Sequence, residues 1–382
     1  MMNRKCFICN GIVKNKLISS WNIPNISTVK EIGFGICPTC QVVLQTPTID
    51  EKDMYLYYED TATYINPTRG GKPSLHKVKD VKRQLDFLQN SIDIKSISNC
   101  FQIGCSDGYT LSQIKNLKIK VDGIDPSTES HKLAKRLYEI NTQVGVFEEY
   151  SITTKYDLIV ITHILEHIYN PNDFLKKCNK MLNRGASILL EVPLFENNDR
   201  FPIGMFTLEH LNYFTEYSLK KLFSLNGLEL ISTEKLYYNN NYPVISMIFQ
   251  KDKPISLSYV NFQDTFQKYV TEESLMWKTI EENILAQTQK DEKIYIWGGG
   301  IHTTQLLAYT NIESHVNIKG IIDSSVTKQN KLLGKYKIYP ANSDIVENYT
   351  IIISSYASEK EIAKFIEKNY KYTKYIKLYK DK

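Results

Sequence analysis

The chain lacks what would take it out of the ordinary soluble class. Nowhere in its 382 residues does an apolar run reach about 18 residues, the length that spans a bilayer. Its opening, MMNRKCFICN, has no apolar targeting core. Charge of one sign is scarce: a net charge of +5 is spread along the whole length, with no Lys/Arg block. Composition therefore argues against a nucleic-acid partner and against a membrane surface. No internal repeat or low-complexity tract is present. Hydrophobic content of 42% and charged content of 23% are those of a globular protein. The length predicts two or three domains. The expected compartment is the cytoplasm, where thiols stay reduced. The seven cysteines then need a reason other than disulfides.

Four of them supply one. Cys6-x2-Cys9 and Cys37-x2-Cys40 are two knuckles, each able to place two thiolates on one tetrahedral ion. The expectation is a structural Zn2+ in a ribbon over residues 1–50, with no open position for catalysis. Such an ion folds a small segment that has no core of its own. Residues 51–95 carry a tyrosine cluster, MYLYYED, and a Gly/Pro loop, NPTRGGKPS. A helical pattern follows, with Val78, Val81, Leu85 and Leu88 at spacings of three and four.

From residue 96 to 253 strands alternate with helices: CFQI, YTLSQIK, IKVDGID, HKLAKRLYEI, YDLIVITHI, PNDFLKKCNKML, SILLEVP and TEYSLKKLFSLNG. This order predicts an α/β fold, a doubly wound parallel sheet with helices on both faces. Thr215 is the expected N-cap of the last helix and Gly227 lies beyond its end. Residues 254–382 begin with a connecting helix and repeat the alternation on a smaller scale. Each alternating unit has a glycine turn after its first strand. In Gly104-Cys105-Ser106-Asp107-Gly108 the glycines let backbone approach a ligand closely. Asp125 ends the next strand, 21 residues after Gly104, where an acid can take both ribose hydroxyls of an adenosine. The second turn, Gly298-Gly299-Gly300, belongs to a unit whose next strand ends in Asp323.

HILEH, with His163, Glu166 and His167, matches the H-x-x-E-H pattern of inverted zinc peptidases. That chemistry needs both histidines on one helix face, whereas these residues end a strand and Asn170-Pro171 follows. The carboxyl ends of parallel strands face the ligand crevice, so the residues are expected to border a site. Alternatively, Glu166 and His167 only cap a helix.

The segments IGCSDGYTL, GIDPS, DLIVITHILEHIYNPNDFLKKCNKMLNRGASILLEVP and EHLNYFTEYSLKKLFSLNGLEL resemble motifs of class I S-adenosylmethionine-dependent methyltransferases. The Cys-x2-Cys ribbon in front and the smaller Rossmann-like unit behind resemble the nucleotide-sugar C-methyltransferase family, which methylates keto-sugars carried on nucleotides. This resemblance implies S-adenosylmethionine at Gly104, Cys105, Ser106, Asp107 and Gly108, with Asp125 on its ribose and His163 beside it. It implies that Glu209-His210 lies at the sugar. His210 is the expected base, His163 its alternative, and His163, Tyr57 or Tyr58 a donor to the carbonyl oxygen. Two residues depart from the usual pattern: Gln102 stands where an acid is common, and Thr207 where C-methyltransferases tend to have Tyr. The second glycine turn either helps hold the nucleotide-sugar or only keeps its geometry. Competing readings are methyl transfer to a sugar hydroxyl or amine, an RNA base methyltransferase, and a non-enzymatic zinc-ribbon scaffold.

Overall fold

The structure, a computed structural model, describes residues 4–23, 29–54, 73–196, 205–237, 243–251, 262–341, 343–370 and 373–379. Tyr57 and Tyr58 lie outside the described residues. Among those described, no helix is long and apolar enough to cross a membrane.

The described residues form three sheets. The first has strand order β1-β2-β3-β9, from β1 (Lys14–Trp21), β2 (Lys30–Ile36), β3 (Val43–Gln45) and β9 (Asn212–Tyr213). Its last strand comes from the EHLNYFT segment, so the N-terminal unit is completed by a piece of chain far away in sequence. Val43 pairs with Tyr213 and Leu44 with Asn212.

The second sheet has order β10-β11-β8-β7-β4-β5-β6. It contains β4 (Asn99–Ile103), β5 (Lys120–Asp125), β6 (Gln143–Val144), β7 (Tyr156–Thr162), β8 (Leu182–Pro193), β10 (Leu228–Tyr237) and β11 (Pro243–Lys251). The strands from β4 to β8 run parallel, whereas β11 is antiparallel to both β8 and β10. The expected parallel sheet is therefore mixed: the helical connection through Glu216–Leu225 brings β10 back parallel to β8, and β11 turns back in a hairpin to lie antiparallel between the two.

Helices follow the expected signals. Helix α1 (Leu75–Ser91) is capped by Ser74 and buries Val81 and Leu88. Helices α2 (Tyr109–Asn116), α3 (Thr128–Tyr138), α4 (Pro171–Met181) and α5 (Glu216–Leu225) alternate with the strands. Asn170 caps α4, with Pro171 in its first turn, where the missing N–H costs nothing. Thr215 and Ser218 form a reciprocal capping box on α5. A long helix, α6 (Gln263–Gln287), then leads to the third sheet.

The third sheet has order β14-β15-β13-β12-β16-β17, from β12 (Lys293–Trp297), β13 (Asn317–Ile322), β14 (Leu332–Leu333), β15 (Tyr336–Tyr339), β16 (Thr350–Ile353) and β17 (Tyr375–Lys377). Helices α7 (Ile301–Tyr309) and α8 (Glu359–Asn369) accompany it.

Packing ties the units together. Cys6, Cys37, Cys40 and Leu44 share one buried cluster with Ile161, Leu190, Phe214 and Leu219 of the central unit. A second cluster joins Trp21 and Phe34 to Phe206, Tyr213, Phe266 and Tyr269. Phe206 lies at its centre and is fully buried. Burying one such side chain stabilises by about 1.5–3 kcal/mol. The segment carrying Glu209 and His210 is thus pinned on one flank by β2 and on the other by α6.

Candidate active site

The turn between β4 and α2 holds three residues in the left-handed region: Gly104 at φ 69°, Ser106 at 48° and Gly108 at 77°. At Gly104 a Cβ would lie 2.2 Å from Ile164 Cδ1, so only glycine lets the chain turn there. The N–H groups of Gly104 and Cys105 donate to Ile124 O of β5 at 2.9 and 3.2 Å. The Cys105 side chain points away from the turn and packs with Leu111 and Ile140, so only its backbone shapes the site. Burial pushes that thiol's pKa up, which makes it inert.

Asp125 sits at the end of β5 against this turn. Its carboxylate accepts Ser106 N at 2.8 Å and Ser127 N at 2.9 Å. Burial raises its pKa, against the pull of those N–H groups. Asp107 is fully buried. Its Oδ1 accepts Lys77 Nζ of α1 at 2.6 Å, while its Oδ2 has no hydrogen-bond partner. An oriented acid at the ribose position and an unsatisfied buried carboxylate oxygen beside a glycine turn fit a donor bearing hydroxyls and an ammonium group. When bound, S-adenosylmethionine would supply a methyl group carried on a sulfonium.

Next along the sheet edge, β7 ends before His163, which takes φ 55°, an uncommon conformation for a residue with a side chain. Its Nδ1 lies 3.6 Å from Glu166 Oε1 and its Nε2 3.4 Å from Glu191 Oε1. The imidazole is surrounded by protein yet 44% exposed, as expected of a side chain lining a cleft. Burial works to lower its pKa, but the two carboxylates outweigh it and hold the ring up to about 10. Glu191 is itself buried on β8 and accepts Arg83 Nη2 at 2.6 Å and Gln84 Nε2 at 2.7 Å, both from α1.

Glu166 and His167 form a short 3-10 turn rather than a helix cap; the cap of α4 is Asn170. Glu166 is 1% exposed and neither carboxylate oxygen has a hydrogen-bond partner. His167 Nδ1 lies 2.9 Å from the carbonyl oxygen of Glu209, and its ring packs edge-on against His210 with centroids 5.0 Å apart. Ligand atoms of Glu166, His167 and His210 lie within 4.8 Å of one another. Burial, reinforced by the neighbouring His167, pushes His210 down to about 3, so its ring is neutral at physiological pH. The structure thus gathers His163, Glu209 and His210 at one sheet edge and adds Glu166, His167 and Glu191. One signal for Glu191 was present: a single acid inside the apolar strand SILLEVP. Arg83 and Lys77 carried none, since their partners are remote in sequence.

Away from this edge, Cys6, Cys9, Cys37 and Cys40 bring their sulfur atoms within 4.8 Å of one another. Cys9 Sγ and Cys37 Sγ are 3.6 Å apart, and all four thiols are free of disulfides. Four thiols converging in this way fit a tetrahedral soft-metal site.

A methyltransferase-domain family model matches residues 75–233. The ubiquinone biosynthesis O-methyltransferase of Nitrobacter winogradskyi is 22% identical over 218 residues, covering 50% of this chain and 83% of that protein. The enzyme of the same name from Idiomarina loihiensis is 24% identical over 171 residues, covering 43% and 68%. Among solved structures, the N-methyltransferase NodS of Bradyrhizobium japonicum, in complex with S-adenosyl-l-homocysteine, aligns at 16% identity with a TM-score of 0.37, covering 45% of this chain and 87% of that one. The matched segment is a methyltransferase domain. The protein is a methyltransferase that uses S-adenosylmethionine as its donor.

Proposed function

We propose that this methyltransferase acts on a nucleotide-linked keto-sugar and that the acceptor is a carbon beside the carbonyl. The observation that supports the reading is a second glycine turn with a lysine at the start of its helix, on a unit packed against the segment that carries Glu209 and His210. Asp323 accepts Gly299 N at 2.8 Å, and Lys328 Nζ lies 3.6 Å from the same carboxylate oxygen, over the start of α7. A lysine beside a helix N-terminus suits a phosphate. From the same helix, Gln305 Nε2 donates to Phe206 O at 3.1 Å, three residues before Glu209.

In this reading Gly104 to Gly108 and Asp125 hold the donor. His163, kept cationic by Glu166 and Glu191, donates to the developing enolate oxygen. His210, which burial keeps neutral and makes a weaker base than a free imidazole, takes the proton from carbon, with Glu209 beside it. The carbanion would then take the methyl group that bound S-adenosylmethionine supplies, with S-adenosylhomocysteine as the leaving group. Residues 1–50 form the metal-binding ribbon, 51–95 the connection, 96–253 the donor-binding domain and 254–382 the substrate-holding domain. The four cysteines hold one structural zinc, and metal analysis of fresh protein should find one per chain. Cys37→Ser should lose it and much of the folded yield.

The test is mass spectrometry after incubation with S-adenosylmethionine and a panel of nucleotide keto- and amino-sugars. A gain of one methyl on carbon supports the proposal. Without the donor, the wild type should exchange the substrate's alpha hydrogen in deuterated water. A second reading, methylation of a hydroxyl, is favoured by the relatives named as O-methyltransferases. Methylated oxygen without hydrogen exchange would establish it in place of the first.

A further inference from the structure

We propose that Arg4 is a positioning residue for the catalytic cluster, through which the four-cysteine unit fixes the two segments that carry Glu166, His167 and His210. The proposal rests on the reading that this cluster does the chemistry, but its test needs no substrate.

Arg4 is 8% exposed. Its Nη1 donates to Leu211 O at 2.8 Å, and its Nη2 to Tyr169 O at 2.7 Å and to Asn212 Oδ1 at 2.8 Å. One planar guanidinium thus spans residue 169, just after the 3-10 turn, and residues 211–212, just after His210. Its backbone N–H donates to Thr46 Oγ1 at 2.9 Å, anchoring it to the end of β3. The bridge continues beyond it. Asn212 Nδ2 donates to Ile168 O at 2.7 Å and Leu165 O at 3.2 Å, and Leu211 N donates to Glu166 O at 2.9 Å.

The fork geometry explains the residue type. A lysine presents a point charge and cannot hold three acceptors in one plane. All three acceptors are uncharged, so the buried cation needs its compensation elsewhere. The guanidinium carbon lies 5.9 Å from the centre of the Tyr169 ring, and Cys6 follows two residues later in the chain. Four thiolates on a divalent ion carry net negative charge, which would supply that compensation. The cysteine unit would then act on the catalytic edge by rigid connection, without touching substrate.

The His167 tautomer is the readout. A carbonyl oxygen 2.9 Å from Nδ1 requires that Nδ1 carry a proton, and this contact depends on the register of the two segments. The experiment compares full-length, metal-loaded wild type and Arg4→Met by nitrogen-edited spectra of the histidine rings. His167→Gln assigns the signal, and calorimetry with S-adenosylhomocysteine runs in parallel. The variant should show His167 averaged between tautomers, unchanged S-adenosylhomocysteine affinity and unchanged zinc content. Once a substrate is in hand, kcat should fall on the order of tenfold to a hundredfold with KM little changed, the cost of a misplaced catalytic group. Unchanged His167 and His210 signals in folded Arg4→Met would overturn the proposal.

Hydrogen exchange on the wild type covers the case of a variant that does not fold. The Leu211 and Cys37 amides should open as one unit with one free energy. Independent opening of the two would overturn the proposal as well. Failure of every sugar substrate, with the tautomer change present, would reject the keto-sugar reading and leave the clamp standing.

Discussion

At Asp125 the carboxylate oxygens accept the N–H groups of Ser106 and Ser127 at 2.8 and 2.9 Å; at Asp323 they accept those of Gly299 and Ser325 at 2.8 and 2.7 Å. The two turns hold their acids in the same way, and the difference lies in what faces each acid. Lys328 stands 3.6 Å from Asp323, with the side chains only 20% and 13% exposed. Among the described residues no cation lies within ion-pairing distance of Asp125. The first acid keeps its acceptor capacity for neutral hydroxyls, whereas the second has its own cation and offers an anion a positive face. A strand-turn-helix crossover makes the clamp wherever an acid ends the next strand. The glycine turn alone therefore says little about the ligand, and the neighbouring charges say more.

The chemical ends differ further. Beyond the first turn stand His163, Glu166, His167, Glu191 and His210. Beyond the second, His302 is engaged on both ring nitrogens, by Ser354 Oγ at 2.8 Å and by the Tyr379 hydroxyl. If only the first edge does chemistry, His210→Asn should lower kcat by about a hundredfold or more, with S-adenosylmethionine affinity intact. His302→Asn should leave kcat at saturating substrate little changed. Equal losses of kcat would break the comparison.

Donor affinity separates the turns next. Asp125→Ala removes a charged acceptor, and hydrogen bonds to charged groups contribute roughly 1.5–3 kcal/mol. Calorimetry should show S-adenosylmethionine binding about tenfold to a hundredfold more weakly. Asp323→Ala should bind the donor as the wild type does. The turns also differ in steric tolerance. A Cβ at Gly104, at φ 69°, would lie 2.2 Å from Ile164 Cδ1, whereas one at Gly299 meets nothing nearer than 3.2 Å. Gly104→Ala should destabilise the central unit by about 2–4 kcal/mol, from left-handed strain plus overpacking, and Gly299→Ala by about 1 kcal/mol or less. Hydrogen exchange at the β4 amides reads the first. Tryptophan fluorescence would not, because Trp21, Trp277 and Trp297 all lie outside residues 75–233.

Both turns were legible in the sequence because each follows a short apolar strand and precedes a capped or glycine-led helix. The α4 and α5 caps, at Asn170 and Thr215, were legible for the same local reason. What sequence could not show was pairing at a distance. β9 is two residues long and has no periodicity of its own; it becomes a strand only because Val43 and Leu44 lie opposite it. β6 and β14 are equally short. β11 alone runs against the other strands of its sheet, turning back from β10 to lie between β10 and β8, and no local signal fixes that reversal. At the site, His163 and His210 were visible as strand-end and loop residues. Glu191, Arg83 and Arg4 act through partners more than a hundred residues away.

The smallest effect tests the second turn directly. Lys328 lies partly buried beside Asp323, and its Nζ would be 3.5 Å from a Cβ at Gly300, so it overhangs the N-terminal end of α7. A diphosphate placed there would gain one charge-assisted contact and the first N–H groups of the helix, and would lose part of the Lys328–Asp323 attraction. The net gain is therefore below that of an isolated pair, about 1 kcal/mol. Lys328→Ala should weaken binding of a nucleoside diphosphate by roughly fivefold, which corresponds to that energy. Raising the salt concentration should weaken binding to the wild type more than to the variant. S-adenosylmethionine affinity should not change. Wild-type nucleotide affinity in Lys328→Ala would mean that Asp323 and Lys328 only satisfy each other, and that the second turn keeps the geometry of the first without its use.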